Sequence, residues 1–134
     1  MCIVQLTAPD YIVLIVSDLD RALHFYTGLL GLRLGHRSGD YAQLDTGFTR
    51  LALYTRGAMA KTLGMSLDAP AASAPGFEIG FKVADVDVAF SQLVAQGAPP
   101  VVPPTDRFWG QRTAYVRDPD GHLVELAQDR GQSR

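Results

Sequence analysis

The sequence predicts an α+β protein built from two similar βαβββ modules, because one half of the chain repeats the pattern of the other. The segments 11–22 and 78–89 lie 67 residues apart, and each is a short apolar strand followed by an acidic helix cap and the start of a helix. Turn residues separate further apolar runs after each copy. Two copies are too few for a solenoid, so we expect two modules related by a pseudo-twofold axis, with a pocket between them.

The first module is predicted to span about residues 8–56. Residues 11–16 are rich in β-branched side chains and predict a strand. Ser17 is predicted to begin a helix, with Asp20 completing an imperfect capping box, and apolar residues recur every three or four positions up to Gly31. Three further runs, separated by turn residues, predict an antiparallel meander. They are Leu32 to His36, Tyr41 to Asp45 and Phe48 to Tyr54.

Residues 57–76 are dominated by Ala, Gly, Ser and Pro, and this composition predicts a long loop that links the two modules. Such a loop is either a passive tether or a lid that closes over a cavity when a ligand binds. Four apolar residues would give a lid adaptable contact surface, namely Met59, Leu63, Met65 and Leu67. The sequence leaves both interpretations open.

The second module, predicted over about residues 77–128, has the same plan. Residues 77–83 predict a strand, and Asp85 is predicted to cap a helix that ends at Gly97. Three more strands are predicted, with a tight hairpin between the last two. The strands are Val101-Val102, Thr113 to Arg117 and Leu123 to Ala127, and the hairpin is Asp118 to Gly121.

Composition excludes several classes of function. The chain of 134 residues is 47% hydrophobic and 19% charged, as expected for one globular domain. A net charge of −2 offers no electrostatic footprint for nucleic acid. The longest apolar run, residues 12–16, is far shorter than the ~20 residues that span a bilayer. With no signal-peptide pattern and a lone Cys2, we expect a cytoplasmic protein without nucleic-acid or membrane partners.

Four segments, in their order along the chain, resemble the vicinal oxygen chelate superfamily. That superfamily includes glyoxalase I, extradiol dioxygenases, fosfomycin-resistance proteins and bleomycin-resistance proteins. The segments are Val16 to Tyr26, Leu29 to Leu32, Val83 to Asp87 and Arg117 to Leu126. The resemblance covers nearly the whole chain. It implies a single domain over residues 1–134, in which paired βαβββ modules form curled mixed sheets around a cavity, often within a homodimer.

Alternation along the strands predicts which side chains face such a cavity. Tyr11 is expected to point inward from the first strand, Glu78 and Lys82 from the repeat strand, and Glu125 from the last. The two glutamates are open to two interpretations. In the first, nearby cations neutralise the glutamates: Lys82 on the same strand as Glu78, and Arg112 or Arg117 on a neighbouring strand. In the second, the two glutamates share a partly dry cavity and repel each other, so that the pKa of one of them rises. In the second case a cationic ligand would relieve the repulsion.

The resemblance also implies a metal-ligand position on each of four strands, and here these positions are Tyr11, the run Leu51 to Leu53, Glu78 and Glu125. Only the two glutamates are ordinary ligands, whereas zinc, nickel, manganese and iron sites use three or four N, O or S donors. The three histidines match no ligand position, and His122 is expected on a surface turn. We therefore expect no cofactor, with a divalent metal on Glu78 and Glu125 as the alternative.

An aromatic segment, Phe108 to Arg112, is similar to the corresponding segment of bleomycin-resistance proteins. Phe108 and Trp109 would supply flat apolar surface for a planar ligand, and a cation could lie over the indole. Trp109 could instead fill the core, but Gly110 and the prolines before it favour a loop. Tyr115 is expected to join this aromatic wall.

The function predicted from these features is metal-independent sequestration of an amphipathic or cationic small molecule, in the manner of the antibiotic-resistance branch of the superfamily. The predicted ligand-binding residues are Tyr11, Glu78, Lys82, Phe108, Trp109, Arg112, Tyr115 and Glu125. The alternative is a glyoxalase-type lyase or isomerase. In that enzyme a divalent metal (zinc, nickel, manganese or iron) on Glu78 and Glu125 would polarise a carbonyl group.

Overall fold

The computed structural model describes residues 11–68 and 78–131, and the chain divides into two compact units, residues 1–67 and 68–134. Each unit contains one four-stranded mixed sheet and follows the βαβββ order that the repeat predicts. The predicted fold class is therefore confirmed. None of the helices in the described ranges is long and apolar enough to cross a membrane.

The sheet of the first unit has the strand order β1-β4-β3-β2, with β1 parallel to β4 and the other neighbours antiparallel. The elements are β1 (Tyr11–Val16), α1 (Leu19–Leu23), a π-helical turn (His24–Leu29), β2 (Arg33–Ser38), β3 (Tyr41–Asp45), β4 (Arg50–Thr55) and α2 (Arg56–Leu63). Buried apolar side chains of the sheet and of the first helical segment form the core of this unit, among them Leu14, Tyr26 and Leu53.

Helix α1 is capped one residue later than predicted. The cap is Asp18 rather than Ser17, and the Asp18 side chain accepts a hydrogen bond from the backbone N–H of Arg21 at 3.1 Å. This bond satisfies one of the N–H groups that the first turn of a helix leaves free. The chain continues as the π-helical turn, and Gly31, at a φ of 77°, follows its end as predicted.

The loop predicted over residues 57–76 is wrong for its first part, which is the helix α2. The hydroxyl of Thr55 accepts a hydrogen bond from the N–H of Ala58 at 3.2 Å, and Gly64 ends the helix at a φ of 70°. A cap, a glycine stop and alanines between them favour a helix even where few apolar side chains are buried. Residues 69–76 of the predicted loop lie outside the described residues.

The sheet of the second unit has the order β5-β8-β7-β6, with β5 parallel to β8. Its elements are β5 (Glu78–Lys82), α3 (Val86–Ala95), β6 (Pro100–Asp106), β7 (Gln111–Arg117) and β8 (Leu123–Asp129). Asp85 caps α3 as predicted, and Gly97 follows its end at a φ of 103°. Strand β6 is longer than the predicted pair Val101-Val102. Its prolines are tolerated because β6 lies at the edge of the sheet.

The second sheet has two chemically different faces. Helix α3 lies against the face that carries the buried Val116, Val124 and Leu126. The side-chain oxygen of Gln128, on the same face, accepts a hydrogen bond from the N–H of Val86 at the start of α3, at 2.8 Å. Side chains alternate between faces along a strand, so Glu125 projects from the opposite face. We call this opposite face, on β5, β8 and β7, the polar face.

Candidate functional site

A pair of carboxyl groups marks the polar face. Glu78 lies on β5 and Glu125 on the adjacent β8, and they are the only glutamates of the chain. Glu125 is the register partner of Gly80, and its Oε1 atom is 3.0 Å from the position that a Cβ on Gly80 would occupy. The missing side chain of Gly80 thus leaves the space in which the Glu125 carboxyl group lies beside Glu78.

The two carboxyl groups interact electrostatically. Desolvation raises the pKa of Glu78, and the neighbouring carboxyl group of Glu125 raises it further. The interpretation in which the glutamates share a site and one pKa rises therefore agrees with the structure.

Neither glutamate is neutralised by the basic residues that the sequence suggests. Lys82 is ion-paired with Asp129 at 2.8 Å, and Arg117 donates to the carbonyl oxygen of Gly121 at 3.0 Å. Within residues 11–68 and 78–131, neither Glu78 nor Glu125 has a Lys, Arg or His partner. The local-neutralisation interpretation is wrong, because the three suggested cations, Lys82, Arg112 and Arg117, are each bound to another acceptor.

Tyr115 lies next to the carboxyl pair. It is the register partner of Glu125 across β7 and β8, and its hydroxyl donates to Glu125 Oε2 at 2.9 Å. Burial raises the pKa of Tyr115, and its hydrogen bond to Glu125 and the negative charges of Glu125 and Glu78 act in the same direction, whereas the charge of Arg107 opposes them. Tyr115 thus supplies both an aromatic surface and a donor that orients one carboxylate.

Trp109 lies at the rim of the polar face, in the turn between β6 and β7, and 53% of it is exposed. Its indole N–H donates to Gln111 Oε1 at 2.9 Å, and Gln111 in turn donates to Asp129 at 3.0 Å. Asp129 also accepts from Lys82, and these two bonds lower its pKa. The chain of contacts crosses three strands and fixes the indole, so Trp109 is a surface group rather than a core residue.

Arg112, a predicted ligand-binding residue, lies on the opposite face from the carboxyl pair. Its guanidinium group makes two hydrogen bonds to Asp87 of α3, at 2.9 Å each, and one to Asp106 at 3.1 Å. Thr113 and Tyr115 project from one face of β7. Arg112 directly precedes Thr113, so it projects from the other face, toward α3. The structure therefore separates Arg112 from the site and assigns it to the attachment of α3.

The other predicted residues are distributed as follows. Phe108 is 98% exposed and packs edge-on against Trp109, with 5.0 Å between ring centroids. Tyr11 lies in the first unit, on β1, and is exposed. The expectation that His122 is a surface turn residue is wrong, because its Nδ1 is 2.7 Å from the buried carboxylate of Asp118 and little of its side chain is exposed.

Sequence reasoning missed Arg107. Its Nε donates to the hydroxyl of Thr113 at 2.8 Å, and its guanidinium carbon lies 6.0 Å from the centroid of the Trp109 ring. Thr113 is fully buried on the same face of β7 as Tyr115. The signal available in the sequence was the position of an arginine directly before the Phe108–Gly110 turn.

The donor set does not fit the transition-metal site that the superfamily resemblance implies. Leu51, Ala52 and Leu53 are buried apolar residues, and they occupy one of the implied ligand positions. Among the described residues, no three His, Cys, Asp or Glu side chains lie together in a group that could hold a metal ion. Two carboxylates fall short of the three or four donors that zinc, nickel or iron normally takes.

Comparison with known proteins agrees with the fold. The sequence model of the Glyoxalase/Bleomycin resistance protein/Dioxygenase superfamily matches residues 8–126. The chain belongs to this superfamily. The superfamily resemblance is thereby confirmed, while membership of its bleomycin-resistance branch stays a prediction.

Relatives of this superfamily member are found among both sequences and structures. It is 36% identical over 119 residues to the uncharacterized protein YraH of Bacillus subtilis, across 84% of this chain and 91% of YraH. A glyoxalase/bleomycin resistance protein/dioxygenase from Nocardioides matches with a TM-score of 0.80 and 25% identity, across 98% of this chain and 89% of that one. A glyoxalase-related enzyme from Fulvimarina pelagi has the same TM-score and identity, across 92% and 89%.

Proposed function

We propose that this protein binds and sequesters an amphipathic cationic small molecule on the polar face of its second unit, without a metal. The observation that carries the proposal is the Glu78–Glu125 pair, which lacks a basic partner among the described residues. Two adjacent carboxyl groups repel each other when both are ionised, and a bound cation offsets this repulsion. The pair is therefore a site of negative charge that a cationic group of a ligand can neutralise.

The surroundings of the pair suit an aromatic or amphipathic ligand. Tyr115 lies against Glu125, and Trp109 presents an indole whose orientation is fixed by Gln111. Ring faces attract cations by roughly 0.5–2 kcal/mol, depending on how far the cation is desolvated. A planar cation could therefore contact a ring with its body and a carboxylate with its charge, as small-molecule sites with few polar anchors do.

Fluorescence anisotropy with proflavine, a planar aromatic cation, tests this proposal. We expect saturable binding to the wild-type protein and at least about tenfold weaker binding to the double variant Glu78→Gln/Glu125→Gln, which corresponds to ~1.4 kcal/mol. Binding to the wild type should weaken as salt is added, and binding to the double variant should depend less on salt. Neutral acridine, at mildly alkaline pH, tests whether the charge of the ligand is needed.

The matched control is Asp40→Asn, which removes one negative charge from the exposed turn between β2 and β3 in the first unit. It should bind proflavine as the wild type does. Equal affinity of the wild type and the double variant would sink the proposal, as would equal affinity for proflavine and acridine. The homodimer remains a prediction, and light scattering after size-exclusion chromatography would show it.

A further inference from the structure

Arg107 lies on the same face as the carboxyl pair, and among the described residues no carboxylate forms an ion pair with it. Its Nε–H is bound to the hydroxyl of Thr113 at 2.8 Å, and because Thr113 is fully buried, this contact fixes the guanidinium group. No carboxylate of the described residues lies within ion-pair distance of Arg107, and its Nη1 and Nη2 atoms have no hydrogen-bond partner there. The two terminal amino groups are thus free to donate.

The other arginines on β7 and β8 or just beyond are used differently. Arg112 is bound to two aspartates, Arg117 donates to a backbone carbonyl, and Arg130 lies 3.4 Å from Asp106. Arg107 alone among them ends in donors that no described group accepts. A half-buried guanidinium group with free paired donors matches the geometry of a carboxylate, which it can bind through two parallel hydrogen bonds.

Arg107 lies close enough to the carboxyl pair for one ligand to reach both. Thr113, which anchors Arg107, and Tyr115, which binds Glu125, are two residues apart on one face of β7. Two residues along a strand span about 7 Å. The Trp109 ring, with its centroid 6.0 Å from the Arg107 guanidinium carbon, adds an apolar surface beside the cation. A single aromatic ring with substituents at opposite ends has a comparable length.

We infer that the ligand of this site is dipolar, an aromatic molecule whose cationic group binds at Glu78 and Glu125 and whose carboxylate binds Arg107. The inference rests on the proposed function for its cationic half and on Arg107 alone for its anionic half. It narrows the ligand class from amphipathic cations to aromatic zwitterions. A ligand with both charges would bind the carboxyl pair with its cationic group and Arg107 with its carboxylate at the same time.

Nuclear magnetic resonance with three small probes tests the two halves separately. The probes are benzoate, benzylammonium and para-aminomethylbenzoate, which carries both charges on one ring. The indole N–H of Trp109 is the reporter, and its signal is assigned without effort because the chain has one tryptophan. We expect each single-charge probe to shift this signal saturably in the millimolar range, and the zwitterion to bind at least about tenfold more tightly than either.

Variants assign each charge to its site. Arg107→Gln should weaken benzoate binding by about tenfold or more and leave benzylammonium binding within about twofold, where tenfold equals ~1.4 kcal/mol. Arg107→Lys keeps the charge but loses the paired donors, so its affinity for benzoate should be intermediate. Arg33→Gln removes an exposed arginine from β2 of the first unit and should bind all three probes as the wild type does.

The outcomes separate the inference from the proposed function. If benzylammonium binds and benzoate does not, the inference is wrong and the proposed function stands. If benzoate binds through Arg107 and benzylammonium does not bind, the proposed function is wrong and only an anion site remains. Equal benzoate affinity in the wild type and Arg107→Gln would remove Arg107 from the site. Absence of binding by all three probes would overturn both.

Discussion

Glu125 on β8 faces Gly80 on β5 so closely that Glu125 Oε1 is 3.0 Å from where a Cβ on Gly80 would stand. The residue opposite the glutamate therefore has to be small if the carboxyl group is to lie over β5, next to Glu78. Gly80 has no positive φ, so its importance comes from space and not from backbone conformation. The carboxyl pair has this geometry because Gly80 has no side chain to occupy the space of the Glu125 carboxyl group.

Gly80→Ala should damage binding more than stability. The added methyl group meets the far end of a flexible side chain, so Glu125 can turn away, and we expect the free energy of unfolding to change by less than about 1 kcal/mol. Displacement of the carboxylate should weaken proflavine binding severalfold. Urea denaturation and anisotropy measure the two effects. Gly131→Ala, where a Cβ would meet open space, should leave affinity unchanged. Wild-type affinity in Gly80→Ala would contradict the assigned geometry.

The raised pKa of Glu78 predicts that stability decreases as the pH rises. A carboxyl group that holds its proton more tightly in the folded state stabilises the fold fully below its unfolded pKa of about 4.3. This contribution is lost as the pH rises through the higher folded value, to which desolvation and Glu125 raise it. We expect the loss to be below about 1 kcal/mol, because Glu78 is exposed.

Urea denaturation of the wild type and Glu78→Gln between acid and neutral pH measures this effect. The variant cannot ionise at position 78, so its stability relative to the wild type should rise with pH across that interval. Nuclear magnetic resonance of isotope-labelled glutamate carboxyl carbons follows the titration of each group directly, because the chain has two glutamates and so two signals. Two independent titrations, both with ordinary pKa values, would show that the carboxyl groups do not interact.

The sequence was sufficient to predict the fold and the carboxyl pair. The repeat and the period-two alternation place Glu78 and Glu125 on one face, since alternation along adjacent strands is a local property. It was not sufficient to predict partners. Lys82 has Glu78 four residues away on the same face of its own strand, yet it binds Asp129 across the β5–β8 pair. The choice between two acceptors depends on distances between strands, which no spacing in the sequence encodes.

The turn between β6 and β7 shows the same limit. Arg112 and Arg107 are both near Trp109 in sequence, and only the start of β7 decides which of them shares a face with Tyr115. With Tyr115 and Thr113 on the polar face, Arg112 projects toward α3, and Arg107 is brought back over β7 by the turn and bonded to Thr113. A predicted strand boundary with an error of one residue exchanges these two roles.

Arg112→Gln should lower stability without affecting ligand binding. Its bonds to Asp87 join β7 to α3, and the hydrogen bond from Arg112 is the largest cause of the lowered pKa of Asp87. A lowered acid pKa stabilises the fold above the unfolded value, and the contribution is lost as the pH falls through the folded value. The urea midpoint of the variant should therefore lie below that of the wild type at neutral pH, with a smaller difference in acid.

The same variant separates the face toward α3 from the polar face. Because the Arg112 side chain forms its ion pairs with Asp87 and Asp106, away from the polar face, Arg112→Gln should bind proflavine with wild-type affinity once its folding has been verified. Arg107→Gln should show the opposite result, a loss of benzoate affinity without a loss of stability. A loss of proflavine affinity in Arg112→Gln, with an unchanged urea midpoint, would return Arg112 to the binding site and overturn the separation.

Metal removal should leave binding unchanged. Protein purified without an affinity tag or chelator should contain nickel, zinc, manganese and iron well below one ion per chain, because Glu78 and Glu125 provide too few donors for a stable site. Treatment with a chelator should alter neither proflavine affinity nor thermal stability, since a ligand that binds only the folded state would otherwise raise the melting temperature. Elemental analysis measures the metal content, fluorescence anisotropy the proflavine affinity, and thermal denaturation the stability. Near-stoichiometric metal, or stabilisation by an added divalent ion that Glu125→Gln abolishes, would replace the binding function with the metal-dependent lyase.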